Sequence, residues 1–407
     1  MKCRFCGVLV SKTLVDLGTA PPSNAYLSLV SLRRPEKYFP LRVLVCTECW
    51  LVQAEAYSRA AELFNEEYAY FSSFSTAWLE HARNFVEHAC NRFGLDDRSF
   101  VVEVGANDGY LLQYFVERGI PCLGIEPTAS TAQAARTKGI PVIERFFDPI
   151  LAEEILGDGR TADLIVANNV LAHVPDIRSF CLAHQILLSD EGVASFEFPH
   201  LMTLIEGRQF DTIYHEHFSY LSFTAVVRIM ESVGLRVFDV NEIGSHGGSL
   251  RVFVAKSGSG RDTESTVDEL LEREVRVGVE TLDYYDGFME NAVLTKHRLL
   301  SFLLEVKASR RRVVGYGAAA KGNTLLNFAG VKPDLLPFVV DRNPYKQGKF
   351  LPGSRIPIVD EEVMVKEQPD YVLVFPWNLI DEIRGQLSYV SRWGGRLVTA
   401  VPEIRVW

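Results

Sequence analysis

Apolar residues along the chain form short runs that lead into turns of glycine and polar residues. The run Ser99–Val104 breaks into the turn Gly105–Gly109, and the amphipathic stretch Tyr110–Arg118 follows. A short buried run, a glycine turn and a helical apolar spacing predict strand, turn and helix in that order. A further helix is predicted from about Thr76 to Arg92. This pattern is typical of an α/β unit, in which the backbone of the turn closely approaches a ligand.

The same order recurs nearer the C-terminal end. Arg310–Gly315 predicts a strand and Gly315–Thr324 a glycine turn that opens a helix, whereas residues 263–304 are charged and helix-compatible. The chain is therefore predicted to be α/β. We expect three domains: 1–66, 67–262, and 263–407 with connecting helices at its start.

Length and charge narrow the classes of function. With 407 residues the chain exceeds one domain of ~100–200 residues, and 47% hydrophobic with 23% charged residues is ordinary for a globular protein. A net charge of −10 disfavours general nucleic-acid binding, although a local basic pocket remains possible. No run approaches the ~18 apolar residues of a membrane helix, and the first residues lack a signal-peptide core. We expect a soluble cytoplasmic protein without membrane partners.

Four of the seven cysteines form two C-x-x-C pairs, Cys3 with Cys6 and Cys46 with Cys49. Two such pairs let four thiolates converge on one tetrahedral ion at about 2.3 Å, which leaves no position open for water. The sequence predicts a structural zinc site in a zinc-ribbon-like domain. A redox dithiol and buried packing thiols are the alternatives.

An acid follows the second strand of the middle unit. The run Cys122–Ile125 ends at Glu126, and a carboxylate at this place can accept both hydroxyls of a ribose. Glycine turns also occur in α/β proteins without a ligand. Together with Glu126, the turn favours a nucleotide-like cofactor.

A third predicted strand, Ala162–Ala167, ends in Asn168 and Asn169, and His173 follows shortly after. Residues at the carboxyl ends of parallel strands face the ligand crevice. These three side chains are therefore candidates for contact with the cofactor or the acceptor. A helix-capping Asn and a surface His are the alternatives.

A polar cluster follows the next strand, at Tyr214, His215, Glu216 and His217. If the segment is extended, His215 and His217 share one face, and Tyr214 and Glu216 share the other. A loop relaxes that rule. The residue types suit acid–base chemistry better than metal binding. A purely structural cluster is the alternative.

The motifs together resemble those of the deoxysugar C-methyltransferases, which act on nucleotide-linked 4-keto-hexoses. The match runs in order over nearly the whole chain. It comprises the four cysteines, Tyr68-x-Tyr70-x-Ser72-Ser73, Glu103-Val-Gly-x-Asn-Asp-Gly109, Asn169-x-x-x-His173, Tyr214-His-Glu-His217 and Gly315-Tyr-Gly-Ala-Ala-Ala-Lys-Gly-Asn-Thr324.

The resemblance implies a zinc-binding N-terminal domain, a central class I methyltransferase domain with a Rossmann-like fold and a second, C-terminal Rossmann-like domain. It implies S-adenosylmethionine and structural Zn²⁺ as cofactors. The implied substrate is a nucleotide-linked 4-keto-deoxysugar, in this family usually a dTDP-sugar, which is methylated at C3. The implied cofactor residues are Glu103, Gly105, Asn107, Gly109, Glu126, Asn168 and Asn169. The implied substrate-binding residues are Tyr70, Lys321 and Asn323.

Removal of a proton beside a ketone needs a base at carbon and a donor at the carbonyl oxygen. We expect His217 to be the base, Glu216 to orient it or to handle a second proton, and Tyr214 and His173 to stabilise the oxyanion. The resemblance adds Tyr68 to this catalytic set.

Two other classes of function stay open at this point. Asp341 follows a strand after the second glycine turn, as in a reader of a nicotinamide ribose, which favours an NAD-dependent sugar-nucleotide oxidoreductase. The spacing of Gly315, Gly317 and Gly322 departs from G-x-G-x-x-G, which disfavours it. A non-catalytic zinc-ribbon interaction protein is the third class.

Overall fold

The computed structural model describes residues 1–57 and 71–407. The strands are β1 (Lys12–Ala20), β2 (Phe39–Val45), β3 (Val52–Ala54), β4 (Val101–Val104), β5 (Cys122–Ile125), β6 (Val142–Ile143), β7 (Ala162–Asn168), β8 (Leu188–Pro199), β9 (Ser219–Tyr220), β10 (Leu235–Ile243), β11 (Ser249–Lys256), β12 (Val313–Tyr316), β13 (Val339–Val340), β14 (Ile358–Val359), β15 (Tyr371–Val374), β16 (Arg396–Thr399) and β17 (Arg405–Val406).

The described helices are α1 (Thr76–Phe93), α2 (Leu112–Val116), α3 (Ala129–Thr137), α4 (Pro149–Gly157), α5 (Ile177–Leu187), α6 (Leu201–Glu206), α7 (Phe223–Glu231), α8 (Ser265–Val277), α9 (Phe288–Ala308), α10 (Ala320–Ala329), α11 (Glu361–Glu367) and α12 (Ile380–Gln386). Short 3₁₀ turns lie at Ser31–Arg33, Ser72–Phe74, Leu171–His173, Phe210–Thr212, Ser245–Gly247, Asp283–Tyr285, Trp377–Leu379 and Ser388–Trp393.

The N-terminal sheet is antiparallel and has the order β1-β2-β3-β9. Three of its strands come from the first 54 residues. The fourth, β9, comes from the middle of the chain and pairs Tyr220 with Val52. The cysteine-bearing turns Cys3–Cys6 and Cys46–Cys49 therefore belong to a unit that a distant strand completes.

The central sheet has seven strands in the order β10-β11-β8-β7-β4-β5-β6. β4 to β8 are parallel, whereas β10 and β11 run antiparallel at one edge. The strand order reverses between β4 and β7, and the carboxyl ends at such a switch point open a crevice for ligands. The predicted glycine turn after β4 lies there.

The C-terminal sheet repeats this plan with six strands in the order β14-β13-β12-β15-β16-β17, all parallel except β17. Its order reverses between β12 and β15, next to the second glycine turn. The structure thus confirms the α/β class, with two Rossmann-like sheets and a separate N-terminal cysteine unit.

Local sequence explains how individual helices begin and end. The Ser75 side chain accepts from the Trp78 backbone N–H at 3.2 Å at the start of α1, and Gly94 with φ +66° ends that helix. Such caps pair backbone groups that a helix end leaves without partners. The predicted helix at Thr76–Arg92 is confirmed to within one residue.

Apolar packing joins the N-terminal sheet to the C-terminal domain. Leu14 and Val43 share one buried cluster with Leu299 of α9 and Leu326 of α10. A second cluster joins residues around the cysteines to the central sheet. The N-terminal domain is therefore wedged against both Rossmann-like domains. Within residues 1–57 and 71–407, no helix is both long enough and apolar enough to span a membrane.

Candidate active site

Four thiols converge in the N-terminal domain. The Sγ atoms of Cys3 and Cys49 lie 3.5 Å apart, as do those of Cys6 and Cys46, and all four lie within 4.8 Å of one another. Four ligands at about 2.3 Å from a tetrahedral zinc stand about 3.8 Å from each other, so the cluster fits Zn²⁺. A fourfold thiolate set leaves no position for substrate, and its role is structural.

A cavity of about 750 Å³ lies between the central sheet, the C-terminal sheet and one loop of the N-terminal domain. The carboxyl ends of β4, β5 and β7 form one wall, and the start of α10 forms the opposite wall. Most of the predicted site residues face this cavity. Those that line it are Gly105, Asn107, Glu126, Asn168, Asn169, His173, Tyr214, His217 and Lys321.

The first glycine turn and Glu126 form the wall made by the central sheet. The Glu126 carboxylate accepts from the backbone N–H groups of Asn107 and Thr128, both at 2.9 Å. Burial raises the pKa of this carboxyl. Gly105 has φ +71°, and a Cβ there would lie 2.6 Å from Cγ2 of Val170. Only glycine therefore fits at this position of the turn.

Two amides on this wall have oxygens without hydrogen-bond partners. The buried Oδ1 atoms of Asn168 and Asn169 contact no donor among the described residues. Asn169 has φ +56°, which non-glycine residues seldom adopt. Buried polar atoms that lack partners mark places where a ligand supplies them. Together with the carboxylate of Glu126, this wall fits S-adenosylmethionine.

Glu103 and Gly109 were expected beside the cofactor, but neither lines the cavity. Glu103 is fully buried in β4, and burial raises the pKa of its carboxyl well above its ordinary value. A Cβ on Gly109 would lie 2.4 Å from Cδ1 of Ile140. Gly109 lets the turn pack closely against the following α/β unit.

The segment Tyr214–His217 is a tight turn rather than an extended strand. The backbone N–H of His217 donates to the carbonyl of Tyr214 at 3.0 Å, and their two rings lie 4.0 Å apart. The face alternation of an extended segment therefore does not apply. Instead, the first and last side chains of the turn meet at the cavity.

His217 and His173 have their ring centroids 4.7 Å apart. Nδ1 of His217 lies 3.0 Å from the carbonyl of Thr212, and Nδ1 of His173 lies 2.7 Å from the carbonyl of Glu216. A nitrogen that faces a carbonyl carries the proton, so Nε2 is the basic nitrogen of each neutral ring. Burial lowers the pKa of His173 to about 4 and that of His217 well below its ordinary value.

The other two side chains of the turn face away from His217. The Glu216 carboxylate accepts from Asn24, and Nε2 of His215 lies 3.2 Å from the carbonyl of Pro40. The expected orientation of His217 by the carboxylate of Glu216 does not occur in this geometry. Glu216 orients His173 instead, through its own carbonyl.

The start of α10 brings Lys321 to the cavity. Its Nζ donates to Oδ1 of Asn378 at 2.8 Å and lies 4.3 Å from the centre of the Trp377 ring. Burial lowers the pKa of Lys321 to about 8, opposed by the negative charge of Asp211. Asp211 in turn accepts from Nε1 of Trp377 at 2.7 Å.

Asn323 does not line the cavity, contrary to expectation. Positions i and i+2 of a helix point in nearly opposite directions, so Asn323 faces away from the side that carries Lys321. Its Nδ2 donates to the carbonyl of Ser23 at 2.6 Å. Asn323 therefore links α10 to the N-terminal domain.

The second glycine turn packs against side chains from the loops that follow β13 and β15. Asp341 accepts from the backbone N–H of Ala318 at 2.7 Å and lies 3.6 Å from Nζ of Lys346. A Cβ on Gly317 would lie 2.5 Å from Cδ of Pro376, and one on Gly322 would lie 2.7 Å from Cγ of Phe375. Protein packing thus accounts for these two glycines.

Several cavity residues were missed from the sequence. Trp78 and His81 of α1 stack at 4.8 Å, and His246, with φ +54°, packs edge-on against Trp78 at 5.5 Å. His81 lies 2.8 Å from the buried Glu197 carboxylate, which Arg251 also contacts at 2.5 Å. For His246, the sequence offers one signal: two glycines follow it directly, which is typical of a turn. Tyr68 and Tyr70 lie outside the described residues.

Three family models match successive parts of the chain. They describe a zinc binding domain at residues 3–64, a methyltransferase domain at 78–240 and a C-methyltransferase C-terminal domain at 244–402. The C-methyltransferase NovU of Streptomyces niveus is 34% identical over 405 residues, which cover 100% of this chain and 96% of that protein. The ubiquinone biosynthesis O-methyltransferase of Rhizobium rhizogenes (strain K84 / ATCC BAA-868) is 29% identical over 105 residues, or 23% of this chain and 41% of that protein.

Solved structures give weaker likenesses. An S-adenosylmethionine-dependent methyltransferase from Clostridium acetobutylicum ATCC 824 covers 44% of this chain and 92% of its own, with 10% identity and a TM-score of 0.36. Magnesium protoporphyrin IX methyltransferase from Synechocystis PCC 6803 covers 44% and 79%, with 12% identity and a TM-score of 0.34. At these TM-scores the two likenesses bear neither on the fold nor on the function of the chain.

Proposed function

The chain belongs to the S-adenosylmethionine-dependent C-methyltransferase family, and from this premise we propose that its acceptor is a carbon beside the keto group of a nucleotide-linked 4-keto-deoxysugar. The family has a full-length relative at 34% identity. Membership excludes the NAD-dependent oxidoreductase and the non-catalytic interaction protein as the main activity. The observation that carries the proposal is the shared cavity, in which the His217 turn lies between a cofactor wall and a cationic wall.

His217 is the proposed base. S-adenosylmethionine supplies an electrophilic methyl group from its sulfonium. The acceptor carbon becomes nucleophilic only when it loses a proton, because the neighbouring ketone then holds the charge as an enolate. Nδ1–H of His217 is held by the Thr212 carbonyl, so Nε2 is the nitrogen that takes the proton. The low pKa keeps this nitrogen unprotonated at neutral pH.

Tyr214 is the proposed donor to the enolate oxygen. Its ring packs against the ring of His217, so the Tyr214 hydroxyl and the proposed base can contact the same part of the substrate. A positioned donor at a developing oxyanion is worth about 3–4 kcal/mol. His173 suits this role less well than expected. Its Nδ1–H is directed at a carbonyl and its Nε2 is an acceptor in the neutral ring. We assign His173 to a hydroxyl group instead.

The opposite wall suits a diphosphate. Lys321, Arg342 and Lys346 all line the cavity, at the start of α10 and in the loop after β13. Cations near a helix N-terminus attract phosphate oxygens, and the amides of that terminus add to the attraction. The proposed dTDP-sugar would therefore lie with its diphosphate here and its sugar toward His217.

Which carbon is methylated follows from where the proton is lost. A ketone at C4 acidifies both C3 and C5, and C3 is the position that the family resemblance favours. Exchange in D₂O distinguishes them. The protein is incubated with dTDP-4-keto-6-deoxyglucose and S-adenosylhomocysteine, and the sugar proton signals are followed by NMR. We expect the C3 signal to disappear.

The His217→Asn variant is the matched test of the base. We expect exchange and turnover to fall about 10²–10⁴-fold, with unchanged S-adenosylhomocysteine affinity. Wild-type rates in this variant would remove His217 from the mechanism. Wild-type protein that neither exchanges a sugar proton nor binds this nucleotide would overturn the proposed substrate class.

A further inference from the structure

One loop of the N-terminal domain, residues 21–26, reaches the cavity. The carbonyl of Ser23 in this loop accepts from Asn323, and the hydroxyl of Tyr26 donates to the carbonyl of Ala318 at 2.6 Å. Both partners belong to the second glycine turn or to its helix. The loop is therefore fixed to the C-terminal domain, and its Asn24 lines the cavity.

The turn Tyr214–His217 also holds Asn24 in place. Oε1 of Glu216 accepts from the backbone N–H of Asn24 at 3.2 Å and from its Nδ2 at 3.1 Å. Glu216 is 1% exposed. A buried acid that accepts from both the backbone and the side chain of one residue holds that side chain in one rotamer. The Glu216 carboxylate, which makes no contact with His217, has this second role.

The pair determines which way the amide of Asn24 faces. A carboxylate only accepts hydrogen bonds, so the NH₂ group of Asn24 is turned toward Glu216 and its Oδ1 is turned away. Asn24 is half-buried and lines the cavity, whereas Glu216 does not line it. The cavity therefore receives an acceptor oxygen with a fixed orientation.

We propose that Asn24, held by Glu216, is a substrate-binding residue whose Oδ1 accepts from a hydroxyl or amino group of the acceptor sugar. This inference rests on the proposed function. It gives the zinc-binding domain a direct part in recognition of the sugar, and it explains why the domain is wedged between the other two. The chemical class it selects is a sugar with a hydrogen-bond donor on the face toward residues 21–26.

Calorimetry with dTDP-4-keto-6-deoxyglucose, in the presence of S-adenosylhomocysteine, tests the proposal. Asn24→Ala should weaken the Kd for the sugar nucleotide about tenfold, the usual effect of one lost hydrogen bond. Asn24→Asp places two carboxylates together and should weaken it more, about 100-fold. The affinity for S-adenosylhomocysteine should stay unchanged in both variants, which shows that they are folded.

A charge swap gives the sharpest control. In Asn24→Asp combined with Glu216→Gln, the donor and acceptor of the pair are exchanged while an oxygen still faces the cavity. This double variant should bind the sugar nucleotide more tightly than Asn24→Asp alone. Asn241→Ala, which removes an exposed amide on β10 outside the cavity, should bind as the wild type does.

The outcomes separate the two proposals. Wild-type affinity in Asn24→Ala, or no recovery in the double variant, would overturn the role of Asn24 and leave the proposed function standing. Absence of sugar-nucleotide binding in the wild type would overturn the proposed function itself.

Discussion

The two glycine turns of this protein share a topology but differ in charge. Each follows the first strand of a Rossmann-like sheet, and each has an acid at the end of the neighbouring strand that accepts from an amide of the turn. Both acids accept from two backbone amides, but only Asp341 of the two also lies 3.6 Å from the ammonium group of Lys346.

This difference supports the proposal that one cavity accommodates two unlike ligands. A ribose needs acceptors, and we propose that Glu126 provides them. A diphosphate needs cations, and in this proposal Lys321, Arg342 and Lys346 supply them. Lys346 also pairs with Asp341, and Arg342 pairs with Glu361. Strand, turn and acid therefore do not by themselves identify a nucleotide-ribose site. Under this proposal, the charges beside the acid distinguish the two sites.

The largest effect is expected from loss of the zinc-binding N-terminal domain, which packs against both Rossmann-like domains. Cys46→Ser should reduce bound zinc from about one ion per chain to near zero and lower the Tm, because a structural zinc site contributes folding free energy directly. Metal analysis with calorimetric unfolding measures both. Full zinc content in this variant would contradict the four-thiolate site.

The next largest effect is expected from substitution of the two acids, Glu126 and Asp341. Glu126→Gln should weaken S-adenosylhomocysteine binding about 100-fold, since it loses a charged acceptor and faces a backbone N–H with an amide donor. The matched Asp341→Asn should change this affinity less than about threefold. Titration calorimetry gives both values, and equal effects would mean that the two turns are not specialised.

A smaller effect is expected on the cationic wall. Lys321→Met should weaken the binding of dTDP-4-keto-6-deoxyglucose about 10- to 30-fold through one lost charge-assisted hydrogen bond. S-adenosylhomocysteine binding is the internal control. If only the affinity for S-adenosylhomocysteine fell, the assignment of Lys321 to the sugar nucleotide would be wrong.

The smallest effect is a pH dependence of the same wall. The pKa of Lys321 is lowered to about 8 by burial, so its charge is present below pH 8 and is lost as the pH rises through that value. The Kd for the sugar nucleotide should rise by at most about tenfold by pH 9. Lys321→Arg should abolish this rise, and a flat wild-type profile would contradict it.

Features set by local spacing could be predicted from the sequence. Each C-x-x-C pair, the turn after β4 and the strand that ends at Glu126 is a short local pattern, and the structure brings these patterns together as expected. The turn at Tyr214–His217 was predicted only in composition. Its shape depends on a backbone hydrogen bond that side-chain pattern does not indicate.

Other cavity residues could not be predicted because tertiary packing alone unites them. Trp78, His246 and Asn24 come from a helix, a strand-connecting turn and the N-terminal domain, and none belongs to a motif that carries chemistry by itself. Asn323 was misplaced for the converse reason. A motif read as a string of letters ignores that Lys321 and Asn323 point to different sides of a helix.

The late strand β9 also has a consequence for synthesis on the ribosome. It completes the N-terminal sheet but is translated about 160 residues after β3, which at about 5–20 residues per second is a delay of roughly 10–30 s. During that interval the edge of β3 has no partner from its own sheet. An unpaired edge strand can pair with other chains, so this edge is open to such pairing until the middle of the protein has been made.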